Sequence, residues 1–347
     1  MSVPFESLPQ PMLARLASEL PRGAGWVYEP KYDGFRALVA HDDGVRVVSR
    51  DGRDLERYFP ELPPVLAGAL PRGCVVDGEV LVPTPRGVDF DALLQRIHPA
   101  ASRVALLARD TPATFVAFDV LAAGGEDLCA RPLSERLARL ESLLGASSSD
   151  GDDAIRDALT GAARRVVVTP RTDDHERGRG WMSRFEGLGL DGVVAKRLDA
   201  PYRPGKRDMV KVKLQRTADC VVGGYRLSKT GDGVGSLLLG LYDDAGVLHY
   251  VGHTSGFRAA ERRALLGELR ALEGDGGFGG GRAPGGPSRW TGGRDTSWVS
   301  LRPELVCEVS FDRVIGERFR HAVGFVRWRR DKAPSECRFD QLRAPSA

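Results

Sequence analysis

The sequence predicts an α+β protein with two domains. Antiparallel sheets with flanking helices are expected over residues 1–215, and a small all-β barrel over residues 216–347. The 347 residues are enough for two hydrophobic cores. In the first part, short strand-like runs alternate with helical patterns, whereas after residue 215 nearly every periodic segment is typical of a strand. This change of pattern predicts the domain boundary.

The predicted strands of the first domain are short and separated by turn residues. Residues 26–30, 35–40 and 45–50 are expected to be consecutive antiparallel strands, with a hairpin turn at 41–44. Further strands are predicted at 74–82, 113–121, 165–169, 192–197 and 209–214. Residues 134–144 have the apolar spacing of a helix, and residues 145–153 have the composition of an exposed loop.

The second domain is predicted to contain few strands and one helix. Strands are expected at 221–227, 236–242 and 247–252, then a helix at 258–272, then strands near 305–314 and 318–330. This pattern, within about 130 residues, favours an OB-fold barrel. The intervening stretch 274–294, rich in Gly and Pro, is predicted to be a flexible surface loop.

Composition excludes several classes of protein. Hydrophobic residues make up 42% of the chain and charged residues 28%, and no apolar run approaches the ~20 residues that span a bilayer. The N-terminus lacks the pattern of a secretory signal, and five scattered cysteines disfavour a zinc site or a disulfide framework, so a reducing cytoplasm is expected. A net charge of +3 is too small to identify a nucleic-acid partner by itself.

The most informative stretch is residues 26–36, which contain Lys31-x-Asp33-Gly34-x-Arg36. A lysine attacks phosphorus only as the free amine, and its ordinary pKa is about 10.4, so neighbouring cations or burial must lower it. Gly34 would let the backbone approach a nucleotide, and Arg36 offers paired donors to ribose or phosphate oxygens. The alternative is an ordinary surface turn at the end of a strand.

Three further motifs follow along the first domain. Residues 49–52 contain Arg50 beside Asp-Gly, which is also a common turn. Residues 76–80 place Glu79 at the end of a strand, where a carboxylate suits Mg²⁺. Residues 115–121 contain Phe118, which is expected to be a core residue unless the flanking motifs give it a ligand-binding role.

Two cationic motifs follow in the last part of the first domain. Residues 189–197 contain Asp191 and Lys196, and residues 210–214 contain Lys211-x-Lys213. Two lysines spaced by two on a strand face the same side, which is unfavourable unless they share an anion such as an α-phosphate. They would also lower the pKa of Lys31. The alternative is a pair of solvated lysines on an edge strand.

These motifs, together with Arg-x-Asp-Lys at residues 329–332, lie in the order found in covalent nucleotidyltransferases. The chain resembles bacterial ATP-dependent DNA ligases of the ligase C type and the ligase module of ligase D, especially over residues 190–226. The resemblance covers nearly the whole chain and implies an adenylation (nucleotidyltransferase) domain followed by an OB-fold domain. One departure is Asp191, because this position usually holds a glutamate; Glu186 is the alternative metal ligand.

The resemblance also implies roles for individual residues. Lys31, Asp33, Lys211 and Lys213 form the expected catalytic set. Glu29 would read the adenine amino group, and Phe118 would stack on the ring. Glu79 and Asp191 are the expected metal ligands. The remaining expected nucleotide contacts are cationic: Arg36, Arg50, Lys196, Arg207, Arg329 and Lys332.

The implied activity requires ATP, Mg²⁺ or Mn²⁺, and nicked duplex DNA bound without sequence preference. The OB-fold domain would close over ATP and then clamp the duplex. Only 30 residues precede Lys31, so no additional N-terminal nucleotide-binding or DNA-binding domain is expected. A monomer in the bacterial cytoplasm, associated with the nucleoid and with possible DNA-repair partners, is the family expectation.

Two other classes share part of this pattern. An RNA ligase or a GTP-using capping enzyme would share Lys31 and the next four motifs, but residues 329–332 and 190–226 argue against both. A nucleic-acid-binding protein with a degenerate catalytic domain is disfavoured because Lys31, Glu79 and the two strand lysines are all present.

Overall fold

A computed structural model describes residues 8–145, 151–161, 164–279, 284 and 297–342. The chain divides into two compact units between Leu214 and Gln215. Among the helices in the described part of the chain, none is long and apolar enough to cross a membrane.

The first unit contains twelve described strands and six described α-helices. The strands are β1 (Ala14–Leu16), β2 (Trp26–Lys31), β3 (Phe35–His41), β4 (Val45–Ser49), β5 (Cys74–Leu81), β6 (Pro83–Thr84), β7 (Gly87–Val88), β8 (Thr114–Ala123), β9 (Glu126–Asp127), β10 (Val166–Val168), β11 (Gly192–Arg197) and β12 (Met209–Lys213). The helices are α1 (Leu62–Ala69), α2 (Phe90–Gln95), α3 (Ala101–Asp110), α4 (Leu133–Leu144), α5 (Asp152–Thr160) and α6 (His175–Arg184), and a 3₁₀ turn follows at Glu186–Leu188.

Two sheets organise this unit. One has the order β1-β12-β11-β2, and the other has the order β10-β8-β5-β3-β4 with β9 paired to β8. Most pairs are antiparallel, but β1 with β12 and β10 with β8 are parallel. A single cluster of buried side chains joins Leu81 and Val116 of one sheet to Val193 and Val212 of the other. The sheets therefore share a core, and the motifs at their strand ends converge.

The second unit is a small β barrel. Its strands are β13 (Arg216–Leu227), β14 (Val234–Tyr242), β15 (Leu248–Thr254), β16 (Val299–Ser300), β17 (Val306–Phe311), β18 (Val314–Ile315), β19 (Arg318–Phe319) and β20 (Gly324–Trp328). Its described residues also form helix α7 (Ala259–Arg270) and two 3₁₀ turns, Pro334–Glu336 and Phe339–Leu342. The sheet runs β15-β14-β13-β17-β20. A bridge from Thr254 to Val323, next to β20, brings the two edges together, as barrel closure requires.

The predicted α+β class is confirmed, and so are the main strands, the helix near 134–144 and the helix near 258–272. The main differences are the following. Strand β1, with its parallel pairing, was not predicted, and neither were helices α1–α3, α5 and α6. The predicted strand at 318–330 is two strands, β19 and β20, separated at 320–323. The predicted loop at 145–153 ends at Asp152, where α5 begins, and its residues 146–150 are outside the described residues. Most of the predicted loop at 274–294 is also outside them.

Candidate active site

A cavity of about 910 Å³ lies in the first unit, lined by both sheets. The β1-β12-β11-β2 sheet contributes Glu29, Lys31, Lys196 and Lys211, and the other sheet contributes Arg36, Glu79 and Phe118. Arg50 and Arg207 line it as well, and the N-terminal segment before β1 forms part of its wall. The fold therefore brings together nine predicted site residues, eight of them from six separate motifs.

Lys31 is the last residue of β2 and lies beside the start of β11. Its Nζ is 2.5 Å from Asp191 Oδ2, and the same oxygen is 3.4 Å from Lys213 Nζ. Strand register explains the cluster, because Gly192 pairs with Lys31 on one side and with Lys213 on the other. A Cβ on Gly192 would lie 2.1 Å from the Val212 carbonyl oxygen, so glycine permits this close pairing.

Lys211 and Lys213 both project from β12 with half-buried side chains, as their spacing predicts. Lys211 lines the cavity. Burial lowers the pKa of Lys211, and the charges of Lys31 and Lys213 lower it further. The three ammonium groups thus form a site that an anion such as a phosphate would stabilise.

Glu29 and Lys196 form a second polar group in the cavity, and both are buried. Lys196 Nζ lies 2.7 Å from Glu29 Oε2 and donates a hydrogen bond to the Phe118 carbonyl at 2.9 Å. Burial raises the pKa of Glu29, although Lys196 opposes the shift. Glu29 Oε1 is buried and has no hydrogen-bond partner among the described residues. An acceptor left in this state is costly unless a ligand donates to it.

Phe118 faces the cavity because of a β-bulge. Gly78 pairs with Ala117 and Asp77 pairs with Asp119, so Phe118 has no partner in the register. A bulge redirects a side chain out of strict alternation. The ring has the Arg36 guanidinium carbon 4.9 Å and the Lys196 amino nitrogen 4.6 Å from its centroid.

The bulge is anchored by Arg136 of α4. Its Nε and Nη2 donate to the two carboxylate oxygens of Asp119 at 2.7 and 3.0 Å, and both side chains are buried. Arg136 also donates to the carbonyl of Ala200 at 3.2 Å. Sequence analysis did not identify this support.

Arg36 is held by a residue that sequence analysis left without a role. Asp77 is fully buried and accepts from Arg36 Nε at 2.8 Å and Nη2 at 2.6 Å. Burial alone would lower the pKa of Arg36, but the charge and hydrogen bonds of Asp77 outweigh it and raise that pKa. Tyr202 donates its hydroxyl to Asp77 at 2.7 Å and accepts from the Met12 amide at 2.8 Å. Asp77 lies in the motif at residues 76–80 and Tyr202 in the family-like stretch at residues 190–226, but neither position by itself indicated a role in holding Arg36.

Glu79 is half-buried and lines the cavity. Burial raises the pKa of Glu79 to about 7, although Lys31 and Arg36 oppose the shift. Its Oε1 accepts from the Gly34 amide at 3.2 Å. A Cβ on Gly34 would lie 2.3 Å from the Val80 carbonyl oxygen and 2.8 Å from Glu79 Cγ. The close neighbour of Gly34 is therefore strand β5, whereas sequence analysis expected an approach to the nucleotide.

Of four other residues predicted for this unit, two line the cavity and two do not. Arg50 and Arg207 line the cavity, and the Arg50 side chain is largely exposed. Asp33 is buried in the turn between β2 and β3 and is outside the set of described residues that line the cavity. Glu186 lies in the 3₁₀ turn before Asp191 and is also outside that set.

Arg329 and Lys332 meet on one carboxylate of the second unit. Arg329 Nη1 lies 2.8 and 2.9 Å from the two oxygens of Asp219, and Lys332 Nζ lies 3.1 Å from Asp219 Oδ2. Arg329 also donates from Nη2 to Asp331 at 2.9 Å. Hydrogen bonding by Arg329 lowers the pKa of Asp331 to about 2. Sequence analysis did not identify Asp219.

Two carboxylates that interact with Lys31 suit a divalent cation held partly by a nucleotide. Within the described residues, no group of three or more acidic, His or Cys side chains could hold a metal ion alone. Mg²⁺ commonly binds through one or two carboxylates, substrate phosphates and water. Glu79 lines the cavity, and Asp191, which is outside the described residues that line it, lies 2.5 Å from Lys31; both provide carboxylates of this kind.

Comparisons with known proteins agree with the motifs. A family model described as the ATP dependent DNA ligase domain matches residues 11–213, and one described as the ATP dependent DNA ligase C terminal region matches residues 230–332. DNA ligase C1 of Mycolicibacterium smegmatis is 49% identical over 360 residues, covering 99% of this chain and 97% of that protein.

A second relative is the multifunctional non-homologous end joining protein LigD of Pseudomonas aeruginosa. It is 34% identical over 343 residues, covering 96% of this chain but 37% of that protein. A solved Lig E DNA ligase structure covers 93% of this chain with a TM-score of 0.54 and 19% identity, and so supports the fold. The two matched ligase regions and the nearly full-length relative confirm the resemblance seen in the motifs: this chain belongs to the family of ATP-dependent DNA ligases.

Proposed function

We propose that this chain seals nicks with 3′-hydroxyl and 5′-phosphate ends in duplex DNA, through a Lys31–AMP intermediate and a DNA-adenylate. The observation that carries the proposal is the position of Lys31. Lys31 lines a nucleotide-sized cavity, its amino group pairs with Asp191, and the charges of Lys213 and Lys211 lie near it. A lysine in an ordinary surface turn would not have a cavity and charged neighbours of this kind around it.

Glu29, Lys196 and Phe118 form the adenine end of the proposed site. The partnerless Glu29 Oε1 would accept from the adenine amino group, and the Phe118 ring would stack on the base. Guanine carries a carbonyl oxygen at the same position, which would repel the carboxylate. This contrast favours ATP over GTP. Because Lys196 is already bound to Glu29 and to the Phe118 carbonyl, we assign it to orienting this end, and assign the α-phosphate to Lys211 and Lys213.

Lys31 is the proposed nucleophile of the first step. Its Nζ forms a bond to the α-phosphorus and loses a proton, while the bond to the pyrophosphate oxygen breaks. Lys211 and Lys213 would balance charge on the α-phosphate, and Arg36, fixed by Asp77, would bind ribose or phosphate oxygens. Arg329 and Lys332 are assigned to the leaving pyrophosphate.

A divalent cation would be held by Glu79 and Asp191 together with the nucleotide. Bound there, it would withdraw electron density from the phosphate oxygens and so assist the departure of pyrophosphate.

The remaining two steps transfer AMP to the DNA 5′-phosphate and then seal the strand. In the first, the Lys31–phosphorus bond breaks and AMP joins the 5′-phosphate. In the second, the 3′-hydroxyl attacks that phosphate and releases AMP. Such an enzyme should bind the DNA backbone without sequence preference, so binding should weaken with salt. We place this activity in DNA repair.

A two-stage labelling assay tests the proposal. The protein is incubated with α-labelled ATP and Mg²⁺ or Mn²⁺, separated from free nucleotide, and then given an unlabelled nicked duplex. We expect a labelled adduct that is discharged as the nick is sealed, and a much weaker adduct with α-labelled GTP. An adduct that forms with GTP and discharges only onto RNA would replace the proposal with a capping or RNA-joining activity.

A further inference from the structure

Asp219 of β13 is the meeting point of the two C-terminal cations. Its side chain is 10% exposed, and it pairs with both Arg329 and Lys332. Asp219 lies 110 residues before Arg329 in the chain, so only the barrel fold brings them together. No other described carboxylate is shared by these two side chains.

The backbone of Asp219 is itself fixed. Its amide donates to Gln341 Oε1 at 2.9 Å, and Gln341 Nε2 donates back to its carbonyl at 3.3 Å. Asp219 also lies in the interior of β13, paired in register with Glu308 of β17. The carboxylate therefore stands at a defined position from which it can orient flexible side chains.

The charges of this cluster cancel. Arg329 and Lys332 are positive, and Asp219 and Asp331 are negative, so the four groups carry no net charge. A neutral group attracts DNA weakly at a distance. Such a group can instead orient N–H donors toward a bound phosphate. Because the donors are already held in fixed orientations, less side-chain entropy is lost on binding than with a free Arg or Lys.

We infer that Asp219 is a positioning residue for the first reaction step, and that it acts through Arg329 and Lys332. The inference rests on the proposed function, in which those two residues orient the pyrophosphate leaving group. A carboxylate that forms ion pairs with both Arg329 and Lys332 would keep the two side chains oriented as ATP binds. Without it, the two side chains would sample many orientations, and adduct formation would slow.

The test compares Asp219→Asn with the wild-type full-length chain in two separate reactions. Because the variant loses charge-assisted hydrogen bonds, we expect adduct formation from ATP to slow about tenfold or more. Sealing of a nick that already carries 5′-AMP has no pyrophosphate to release and should change less than about threefold. Asp219→Glu keeps the charge and should recover part of the lost rate.

Glu308→Gln is the matched control. Glu308 faces Asp219 across the β13–β17 pair and makes a comparable ion pair, 2.7 Å, with Arg327 Nε. The substitution removes one carboxylate charge from the same sheet at a residue whose ion pair is with Arg327 and not with Arg329 or Lys332, and it should leave adduct formation nearly unchanged. If adduct formation slowed equally in Asp219→Asn and Glu308→Gln, the loss of any carboxylate from this sheet would explain the effect, and Asp219 would have no special role.

A double-mutant cycle separates positioning from general damage to the fold. In a chain that already carries Arg329→Ala and Lys332→Ala, Asp219→Asn should slow adduct formation less than about twofold further. A full additional loss, or a parallel loss of sealing on the pre-adenylated nick, overturns the inference, and so does a normal or faster adduct rate in Asp219→Asn alone. If the wild-type chain forms no adduct, the proposed function fails first, and the two failures are distinguishable.

Discussion

The carboxylate of Asp191 lies 2.5 Å from the amino nitrogen of Lys31, and its same oxygen lies 3.4 Å from the amino nitrogen of Lys213. Asp191 precedes β11, whose first residue pairs with Lys31 on one side and Lys213 on the other. The carboxylate expected from sequence to serve a metal is therefore also a direct partner of the proposed nucleophile. Any substitution at Asp191 therefore changes both the proposed metal site and the surroundings of the Lys31 amino group.

Lys31→Ala should abolish the covalent AMP adduct, because no other amine occupies its place at the end of β2. Some sealing of a nick that already carries 5′-AMP should remain, since the nucleophile is needed only before that stage. Gel detection of labelled adduct and a separate sealing assay measure the two outcomes. An undiminished adduct in the variant would assign the nucleophile to another residue.

Asp191→Ala should slow adduct formation by about 100-fold, because it leaves Lys31 and Lys213 without their shared carboxylate and removes the proposed metal ligand. Asp191→Glu restores the residue usual in the family and should be tolerated within about tenfold. Single-turnover adenylation rates across a Mg²⁺ titration measure both. Glu186→Ala is the control, and a larger effect there than at Asp191 would transfer the metal role to Glu186.

Glu79 should titrate near neutral pH in the free protein. Its pKa is raised from 4.5 to about 7, so the folded state holds the proton more tightly than the unfolded chain. The contribution of this group to stability is complete below pH 4.5 and is lost as the pH rises to about 7. We expect a carboxyl ¹³C signal with a midpoint near 7 that disappears in Glu79→Gln.

Adduct formation should fall as the pH drops below about 7 if the carboxylate form of Glu79 binds metal or ribose. A midpoint near 4.5 for the Glu79 signal would contradict the raised pKa. An unchanged activity profile in Glu79→Gln would place the titrating group elsewhere.

Tyr202→Phe should weaken the hydrogen-bonded support that positions the Arg36 side chain. The hydroxyl bonds to Asp77, which in turn holds Arg36, so its loss should lower the free energy of unfolding by about 1–3 kcal/mol and raise the KM for ATP about 3–10-fold. Tyr225→Phe is the control. Its hydroxyl makes a comparable bond to Glu273, 2.6 Å, in the other unit. A KM for ATP that rises equally in both variants would contradict the role of Tyr202.

Arg329→Ala combined with Lys332→Ala should slow adduct formation from ATP by about 100-fold and largely spare sealing of a pre-adenylated nick. The physical reason is that only the first step expels pyrophosphate. A basic tail that merely attracts DNA would produce the reverse: normal adduct formation and weaker, more salt-sensitive nick binding. Rates of the two half-reactions at two salt concentrations decide between them.

The fold was predictable where local pattern carries the information. Alternation and turn residues identified β2, β3 and β4, and the same periodicity rules identified α4 and α7. Strand β1 was missed because a three-residue strand has too few positions for a pattern. Its pairing with β12 depends on a partner nearly two hundred residues away.

Phe118 shows where local pattern is insufficient. Strict alternation in an apolar strand makes a phenylalanine a core residue, and only the flanking motifs suggested otherwise. The bulge that turns the ring into the cavity exists because two strands pair with a shift in register. Register is a property of the pair, so neither strand contains it alone.

The sequence by itself determined the family: a candidate lysine nucleophile, a pair of strand lysines and an Arg-x-Asp-Lys motif follow one another in an order that indicates it. Only the tertiary structure decided which carboxylate holds each cation. Asp191 holds Lys31, Asp77 holds Arg36, and Asp219 holds Arg329 with Lys332. Each pair joins residues 41–160 positions apart in the chain. Such pairs form because strand register and shared burial bring side chains together, and charge then selects the partner among the groups that burial has made neighbours.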